Sequence, residues 1–400
     1  MKTIFKLKKW LLLGILLRLL IMPFTGHWDL TSLNQVADSL WHSGQSAAYS
    51  FYYAIYPPFT YLFLGLWQKL ISPLVFSDFH SFLNDPVGVV FLNPHVFRYL
   101  FLLKLSYVFF DLGIGFLLYS LVEDKKKKEK IFKLWMLNPI TLYATFAWGT
   151  IDLIPTFLVI LALFLAKKQK GYWAVLALGL GVSFKAFPFL FLIPFCLTYF
   201  SSFKKRLKGI FLGLLPFAAT ILPFLSDKNF VLQFFSSEQL QVIQHAGFYI
   251  GREENISLYY IFYSLLIFFL WSRYGVKYNF NWLFFLVIFV FYALASFTPQ
   301  WFIWGVPLLF LVMVENDISL FWYVLILAIY LFLVLMFEVT LNLGLLAPLE
   351  VTFLDYPSWG EKINSILSVT RIDGLLRSVF SAIIFWLVYL SKPKQRYENS

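Results

Sequence analysis

Residues 59–76 read FTYLFLGLWQKLISPLVF, and whether this stretch crosses a bilayer decides the topology of everything after it. A spanning helix needs roughly 17–25 mostly apolar residues, so the stretch qualifies on composition. The charges around it argue against a crossing. Cytoplasmic loops carry an excess of Lys and Arg. Basic runs occur at Lys2, Lys6, Lys8 and Lys9, at EDKKKKEK (123–130), KKQK (167–170) and KKRLK (204–208), at Arg273 with Lys277, and at KPKQR (392–396). If 59–76 crossed alone, the next helix would deliver the lysines of 125–128 to the outside. The pattern therefore predicts a re-entrant or surface-lying helix on the outer side. With it set aside, about twelve spans put every basic run inside and both termini in the cytoplasm. They lie near 10–24, 98–122, 132–147, 153–166, 172–185, 187–200, 208–225, 257–271, 281–297, 302–314, 318–338 and 373–391.

Composition agrees with this reading. The 400 residues are 60% hydrophobic and 13% charged, against about 25% charged in soluble domains. The predicted fold class is an all-α polytopic membrane protein, with residues 1–400 forming a single integral membrane domain. Forty-nine Phe, 23 Tyr and 14 Trp supply apolar mass and interface anchors. The net charge of +11 does not indicate nucleic acid, because the basic residues fall in short runs between apolar spans. The one cysteine, Cys196, lies in an apolar span and can form no disulfide within the chain. The N-terminal MKTIFKLKKWLLLGILLRLLIMPF has a basic start like a signal peptide, but Arg18 interrupts its apolar run and no small-residue cleavage site follows. It reads as an uncleaved first helix.

Three long segments fall on the outer side: 25–97, 226–256 and 339–372. The first opens with GHWDLTSLNQVADSLWHSGQSAAYSFYYAIYPP (26–58). Leu30, Leu33, Val36 or Ala37, and Leu40 or Trp41 recur at helical spacing, which predicts an amphipathic helix over 29–43 closed by Gly44. Asp29 stands at its start. It can be a helix cap or a general base, and the roles are compatible, since N–H donors keep a carboxylate ionised.

Other residues invite the same double reading. Asp152, in ATFAWGTIDLIP (144–155), is either a solvated turn residue or the lining of a polar cavity. Lys185, in VSFKAFPFLFLIP, is either a lysine snorkelling to a headgroup or a ligand for a lipid phosphate. Trp301 and Trp304, in SFTPQWFIWGVP with Gln300, have interface-belt residues as the plain alternative. Arg18, inside the first helix, requires a partner or a wet cavity. Further outward cations are Arg98, Lys228, Arg252, Lys362, Arg371 and Arg377. No Gly-rich phosphate loop occurs and no His/Cys metal spacing. His27 and His42 can be pictured as a metal pair with Asp29 or Asp38, but their spacing fits no defined site.

Taken in order, these pieces resemble the GT-C superfamily of membrane glycosyltransferases, which use polyprenyl-phosphate sugars. Arg18 in the first helix is followed by Asp29, an amphipathic helix, and YPPFTYLF (56–63), similar to a Tyr-Pro-Pro segment of the dolichyl-phosphate-glucose-dependent glucosyltransferases. FRYLFLLKLSYVFFDLGIGFLL, with Asp111, resembles their second span. LNPITLYATFAWGTIDLIPTFLVILALFL resembles the Asn-Pro and Trp-Gly-x-x-Asp segment of bacterial members. FKAFPFLFLIP, REENISLYYIFYSL and FTPQWFIWGVPLL are similar to segments of the first mannosyltransferases of GPI-anchor synthesis. The likeness covers about residues 10–310.

The resemblance implies a GT-C fold with outer-face amphipathic helices in the first loop, in a plasma membrane that is bacterial, with the active site outside. It implies an inverting transfer of a hexose, mannose before glucose, from a polyprenyl-phosphate donor to a lipid or glycan acceptor. Asp29 would be the base; Asp152, Trp148 and Gln300 would hold acceptor or sugar. Lys185 and Arg252, then Arg98 and Arg371, would hold the donor phosphate. No Asp-x-Asp pair lies in the first loop, so the expectation is a metal-independent enzyme with no cofactor. Rival readings are a flippase for polyprenyl-linked glycans, which needs polar residues within spans and on both faces, and an O-antigen ligase or polymerase, which needs more outward arginines.

Overall fold

The computed structural model describes residues 2–86, 88–236, 247–249, 251, 254–273, 278–364 and 368–393, with side chains from residue 7 onward. Arg252 lies outside the described residues. The chain is helical almost throughout. In order, the helices are α1 (Lys2–Ile21), α2 (Trp28–Ser43), α3 (Gln45–Ala48), α4 (Pro58–Ile71), α5 (Phe79–Asn84), α6 (Val96–Leu121) and α7 (Lys125–Met136). There follow α8 (Pro139–Thr141), α9 (Leu153–Lys167), α10 (Gly171–Phe184), α11 (Phe189–Tyr199), α12 (Phe203–Ile221) and α13 (Lys228–Phe235). The last six are α14 (Leu258–Ser272), α15 (Phe280–Leu294), α16 (Val306–Glu315), α17 (Leu320–Met336), α18 (Trp359–Asn364) and α19 (Val369–Leu390). A small antiparallel pair, β1 (Gly247–Tyr249) and β2 (Asn255–Ser257), precedes α14.

Three described helices, Val96–Leu121, Phe203–Phe224 and Val369–Leu390, are each long and apolar enough to cross a membrane. Their neighbours α9–α11 and α14–α17 are shorter and equally apolar. Large apolar side chains stand exposed along α12 (Phe211, Leu215), α14 (Leu265, Phe268) and α19 (Leu375, Tyr389). Such a band has no place in water and suits hydrocarbon, so the chain is an all-α membrane protein. Between helices the contacts are those of close-packed small residues: a Cβ on Gly179 of α10 would lie 1.8 Å from the Gly213 oxygen of α12.

The two ends of the bundle differ in what they gather. At one end Lys127 pairs with Asp317 at 2.7 Å and Lys167 with Glu123 at 3.1 Å, which gathers two basic runs. At the other, the three long segments meet. Gly26 N–H donates to the Leu345 oxygen (2.9 Å), and the Asn229 amide donates to the Ser46 oxygen (3.1 Å).

The doubtful stretch 59–76 forms α4 and a following 3-10 turn, Ser72–Leu74. With 14 residues it is about 21 Å long, short for a crossing. It is embedded in protein rather than lying free on a surface: α2, α6, α10 and α12 pack around it. Trp41 of α2 fills the space above Gly65, and the Thr60 hydroxyl donates to the Phe184 oxygen at 2.8 Å.

Two buried cations organise the first third of the chain. Arg18 finds the partner its position demands. Its Nε lies 2.6 Å and its Nη2 3.2 Å from the two oxygens of Asp111, and Nη1 donates to the Gly14 and Met136 oxygens. Both side chains are fully buried, so α1, α6 and the end of α7 are joined through one guanidinium. Lys104 of α6, also fully buried, donates to main-chain oxygens of Met22 (3.1 Å), Thr25, Phe146 (3.0 Å) and Ala147 (3.2 Å). No carboxylate is within ion-pair distance of it among the described residues. Its counter-charge is the pooled dipole of carbonyls at the ends of two helical segments.

Removing one member of a buried ion pair costs about 3–5 kcal/mol, while replacing both by apolar side chains is close to neutral. Arg18→Met and Asp111→Leu should each lower the melting temperature of the purified protein clearly, and the double variant should recover most of the loss. Simple additivity of the two losses would contradict the pairing.

Candidate active site

The site is built where the two strands of chain tied by Lys104 leave it. The first runs into α2. His27 is the N-cap in extended conformation, and its Nδ1 accepts the Asp29 N–H at 3.1 Å. Asp29 is thus one residue inside the helix and is not the cap. Its carboxylate sits in the first turn, at the positive end of the helix dipole. Trp148 Nε1 donates to Asp29 Oδ2 at 2.9 Å, and His27 Nδ1 lies 3.4 Å from the same oxygen. The Asp29 side chain keeps 26% of its surface exposed. Burial pushes its pKa up. The interaction with His27, the Trp148 hydrogen bond and the charge of Lys185 together outweigh burial, and the net shift is below the usual carboxylate value.

The second strand carries Trp148. After α8 the chain takes a π-helical turn, Leu142–Trp148, ended by Gly149 in the left-handed region (φ 97°). A Cβ there would also stand 3.0 Å from Leu30 Cδ2 of α2, so glycine serves both the turn and the close approach. That approach sets Trp148 against Asp29. Trp148 is backed by Leu341 and Leu345 of the third long segment.

Three residues past Gly149, Asp152 faces the other way. It is 1% exposed; its Oδ1 accepts from Lys185 Nζ at 2.7 Å and from Trp304 Nε1. Lys185 caps α10 in extended conformation, 5% exposed, with its ammonium over the rings of Tyr56 (5.0 Å), Trp304 (5.3 Å) and Trp301 (5.5 Å). The Tyr56 hydroxyl is 3.4 Å away. Trp301 and Trp304 stack on each other at 4.9 Å within the 3-10 turn Pro299–Trp304. Phe187 lies flat on Trp304 at 4.3 Å. A desolvated cation enclosed by aromatic faces gains about 2 kcal/mol or more from them.

The structure thus brings together Asp29 with Trp148, and Asp152 with Lys185. Gln300 lies on the same 3-10 turn as Trp301 and Trp304. Four buried polar atoms around these pairs lack a partner: His27 Nε2, Gln300 Oε1, Trp301 Nε1 and the Tyr107 hydroxyl. Buried polar groups are normally satisfied, so these four atoms have hydrogen-bonding capacity to spare. The sequence paired His27 with Asp29 only in a metal set whose spacing fits no defined site, and it left Trp301 and Trp304 open as belt residues. Their roles depend on contacts between residues far apart in the chain.

The remaining cations stand elsewhere. Arg98 is exposed, 4.5 Å over the Phe76 ring, on an open groove lined by Pro23, Phe97, Phe101 and Leu102. Arg371 is exposed in the first turn of α19. Arg377 donates to the Phe297 oxygen at 3.3 Å, two residues before the 3-10 turn.

Known proteins place this arrangement. GPI mannosyltransferase 1 of Schizosaccharomyces pombe is 30% identical over 165 residues, covering 35% of this chain and 44% of that protein. The Candida albicans protein of the same name is 26% identical over 173 residues (36% and 43%). That of Saccharomyces cerevisiae is 27% identical over 118 residues (29% and 28%). The chain therefore matches less than half the length of these curated relatives. No solved structure matches it. The sequence pattern of glycosyltransferase family 87 matches residues 82–315. That range carries Trp148, Asp152, Lys185 and the Trp301–Trp304 turn, more than half of the chain, and the protein belongs to glycosyltransferase family 87.

Proposed function

We propose that the chain is an inverting hexosyltransferase of GT-C architecture with about twelve spans. It would move mannose, or failing that glucose, from a polyprenyl-phosphate donor to a lipid or glycan acceptor on the outer face. The observation that carries the reading is Asp29: a carboxylate one quarter exposed, oriented by Trp148 and held ionised at a helix N-terminus, in a member of a glycosyltransferase family. The matched relatives named as mannosyltransferases favour mannose. Orientation follows the basic runs, which places the termini in the cytoplasm.

In this mechanism the acceptor hydroxyl gives its proton to Asp29 as its oxygen bonds to the anomeric carbon. The bond from that carbon to the phosphate oxygen breaks, and its electron pair leaves with the lipid phosphate on the opposite face. A carboxylate held low is a weak base, sufficient where the hydroxyl becomes strongly acidic as the new bond forms. A phosphate leaves without an acid but needs positive charge in a water-poor site. Among the described residues Asp152 and the Tyr56 hydroxyl take two of the three Lys185 ammonium protons, which leaves the third for a donor oxygen. Asp152 would then hold Lys185 in place, with Gln300 and Trp301 offering their unpaired atoms to sugar hydroxyls. Arg252, Arg98 and Arg371 remain further candidates for the phosphate. The transfer itself uses no metal in this reading.

Purified protein supplied with polyprenyl-phosphate-mannose or -glucose and a panel of acceptors tests it. Asp29→Asn should lower kcat by about 10²–10⁴-fold, the range for loss of a general base, with donor binding kept; full transfer by a folded Asp29→Asn protein would remove the assignment.

The pH profile follows from the direction of the Asp29 shift. A depressed carboxylate stays ionised until pH falls below the ordinary aspartate value of about 3.9, so kcat/KM should show no acid limb between neutral pH and that value. A limb near the histidine range would assign the essential base elsewhere.

Lys185→Met should lower kcat/KM by about 10²–10³-fold, as loss of a charge-stabilising donor does, and weaken donor binding. Unchanged donor affinity would exclude Lys185 from the phosphate site.

A further inference from the structure

The second aspartate of α2 has surroundings unlike those of Asp29. Asp38 and His42 are four residues apart and share one face of the helix. His80 comes from α5, which the 59–76 stretch brings back alongside. His80 Nδ1 is 2.8 Å from Asp38 Oδ2, and His42 Nδ1 is 3.1 Å from Asp38 Oδ1. The two imidazoles meet edge to face at 5.6 Å. One ligand atom from each of the three residues lies within 4.8 Å of the others. The Asp38 carboxylate is 7% exposed, whereas His42 and His80 are 67% and 66% exposed. Asn84 Nδ2 donates weakly to Asp38 Oδ2 at 3.4 Å.

We infer that Asp38, His42 and His80 form a site for a transition-metal dication, Zn²⁺ being the closest fit. Two imidazoles and one carboxylate are a recurrent ligand set for zinc, and a water or exogenous ligand completes the tetrahedron. Bonds of about 2.0–2.1 Å place tetrahedral ligand atoms roughly 3.3 Å apart, so the present separations need only small side-chain adjustments. His42 Nδ1 also lies 2.9 Å from its own Asp38 main-chain oxygen, a contact it exchanges for the metal. The anchoring carboxylate is buried and already aimed, and the imidazoles face solvent, so an ion enters without unfolding.

The site is separate from transfer chemistry. Asp38 follows Asp29 by nine residues, about 14 Å along the helix. The metal clasps α2 to α5 and so braces the helix that carries Asp29 at its far end. The inference stands whether or not the proposed transfer is correct.

The test uses full-length protein in lipid nanodiscs, stripped with a chelator and titrated with Zn²⁺ by calorimetry. One equivalent should bind, and His42→Ala and His80→Ala should each weaken it by at least about tenfold, the least that loss of even an outer-shell partner costs. His95→Ala, in a different cluster with Asp78, should leave it unchanged. A second measurement needs no variant. Zn²⁺ should protect His42 and His80, but not His95, from carbethoxylation read by peptide mass spectrometry. Absence of a one-equivalent site, equal affinity in His80→Ala, or no protection of His42 and His80 would each overturn the assignment.

Discussion

Lys104 is the point on which the geometry turns. A fully buried ammonium in a membrane helix must be surrounded by acceptors, and this one draws in carbonyls from two distant places: Met22 and Thr25 at the exit of α1, Phe146 and Ala147 at the end of the π-helical turn. The next residues along these two strands are His27–Asp29 and Trp148. Desolvation therefore does positional work. The cost of leaving a lysine unsatisfied in the core favours the arrangement in which Asp29 and its indole donor Trp148 face one another. Arg18 and Asp111 brace the same corner from below, through Gly14 and Met136.

Two carboxylates occupy the site under opposite regimes. Asp29 is partly open and paired with neutral or weakly charged donors, free to take a proton. Asp152 is closed in and committed to Lys185 and Trp304. They differ in solvent access, the Asp29 side chain being 26% exposed and Asp152 1%. The aromatic walls of Tyr56, Trp301 and Trp304 exclude water from around the ammonium and raise its effect on any anion that enters.

Much of this was legible in the sequence. Most of the apolar spans coincide with helices, whereas 132–147 is broken at Leu137–Asn138 into the end of α7, the short α8 and the π-helical turn. Asp29, Trp148, Asp152 and Lys185 each break a local expectation: an acid or base in apolar surroundings, or an indole before a glycine. Lys104 breaks the same expectation mid-span, in FLLKLSY, a run that stands out in sequence only by its likeness to the family's second span. Its significance lies only in main-chain oxygens that a sequence does not display. His80 is likewise invisible as a partner of Asp38 until α4 folds α5 back against α2. Arg98 and Arg371 had only their charge and presumed side of the membrane to recommend them, and neither criterion encodes distance.

The π-helical turn before Gly149 makes register a determinant of the site. Such a turn holds one residue more than an α-helix can, and each helical residue advances the side chains by about 100°. A family member shorter by a single residue between Leu142 and Trp148 would regain ordinary helix and swing its indole a quarter-turn or more away from the carboxylate. Aligned with a one-residue gap, such a relative would still show a tryptophan in the expected column, though its carboxylate would need another donor.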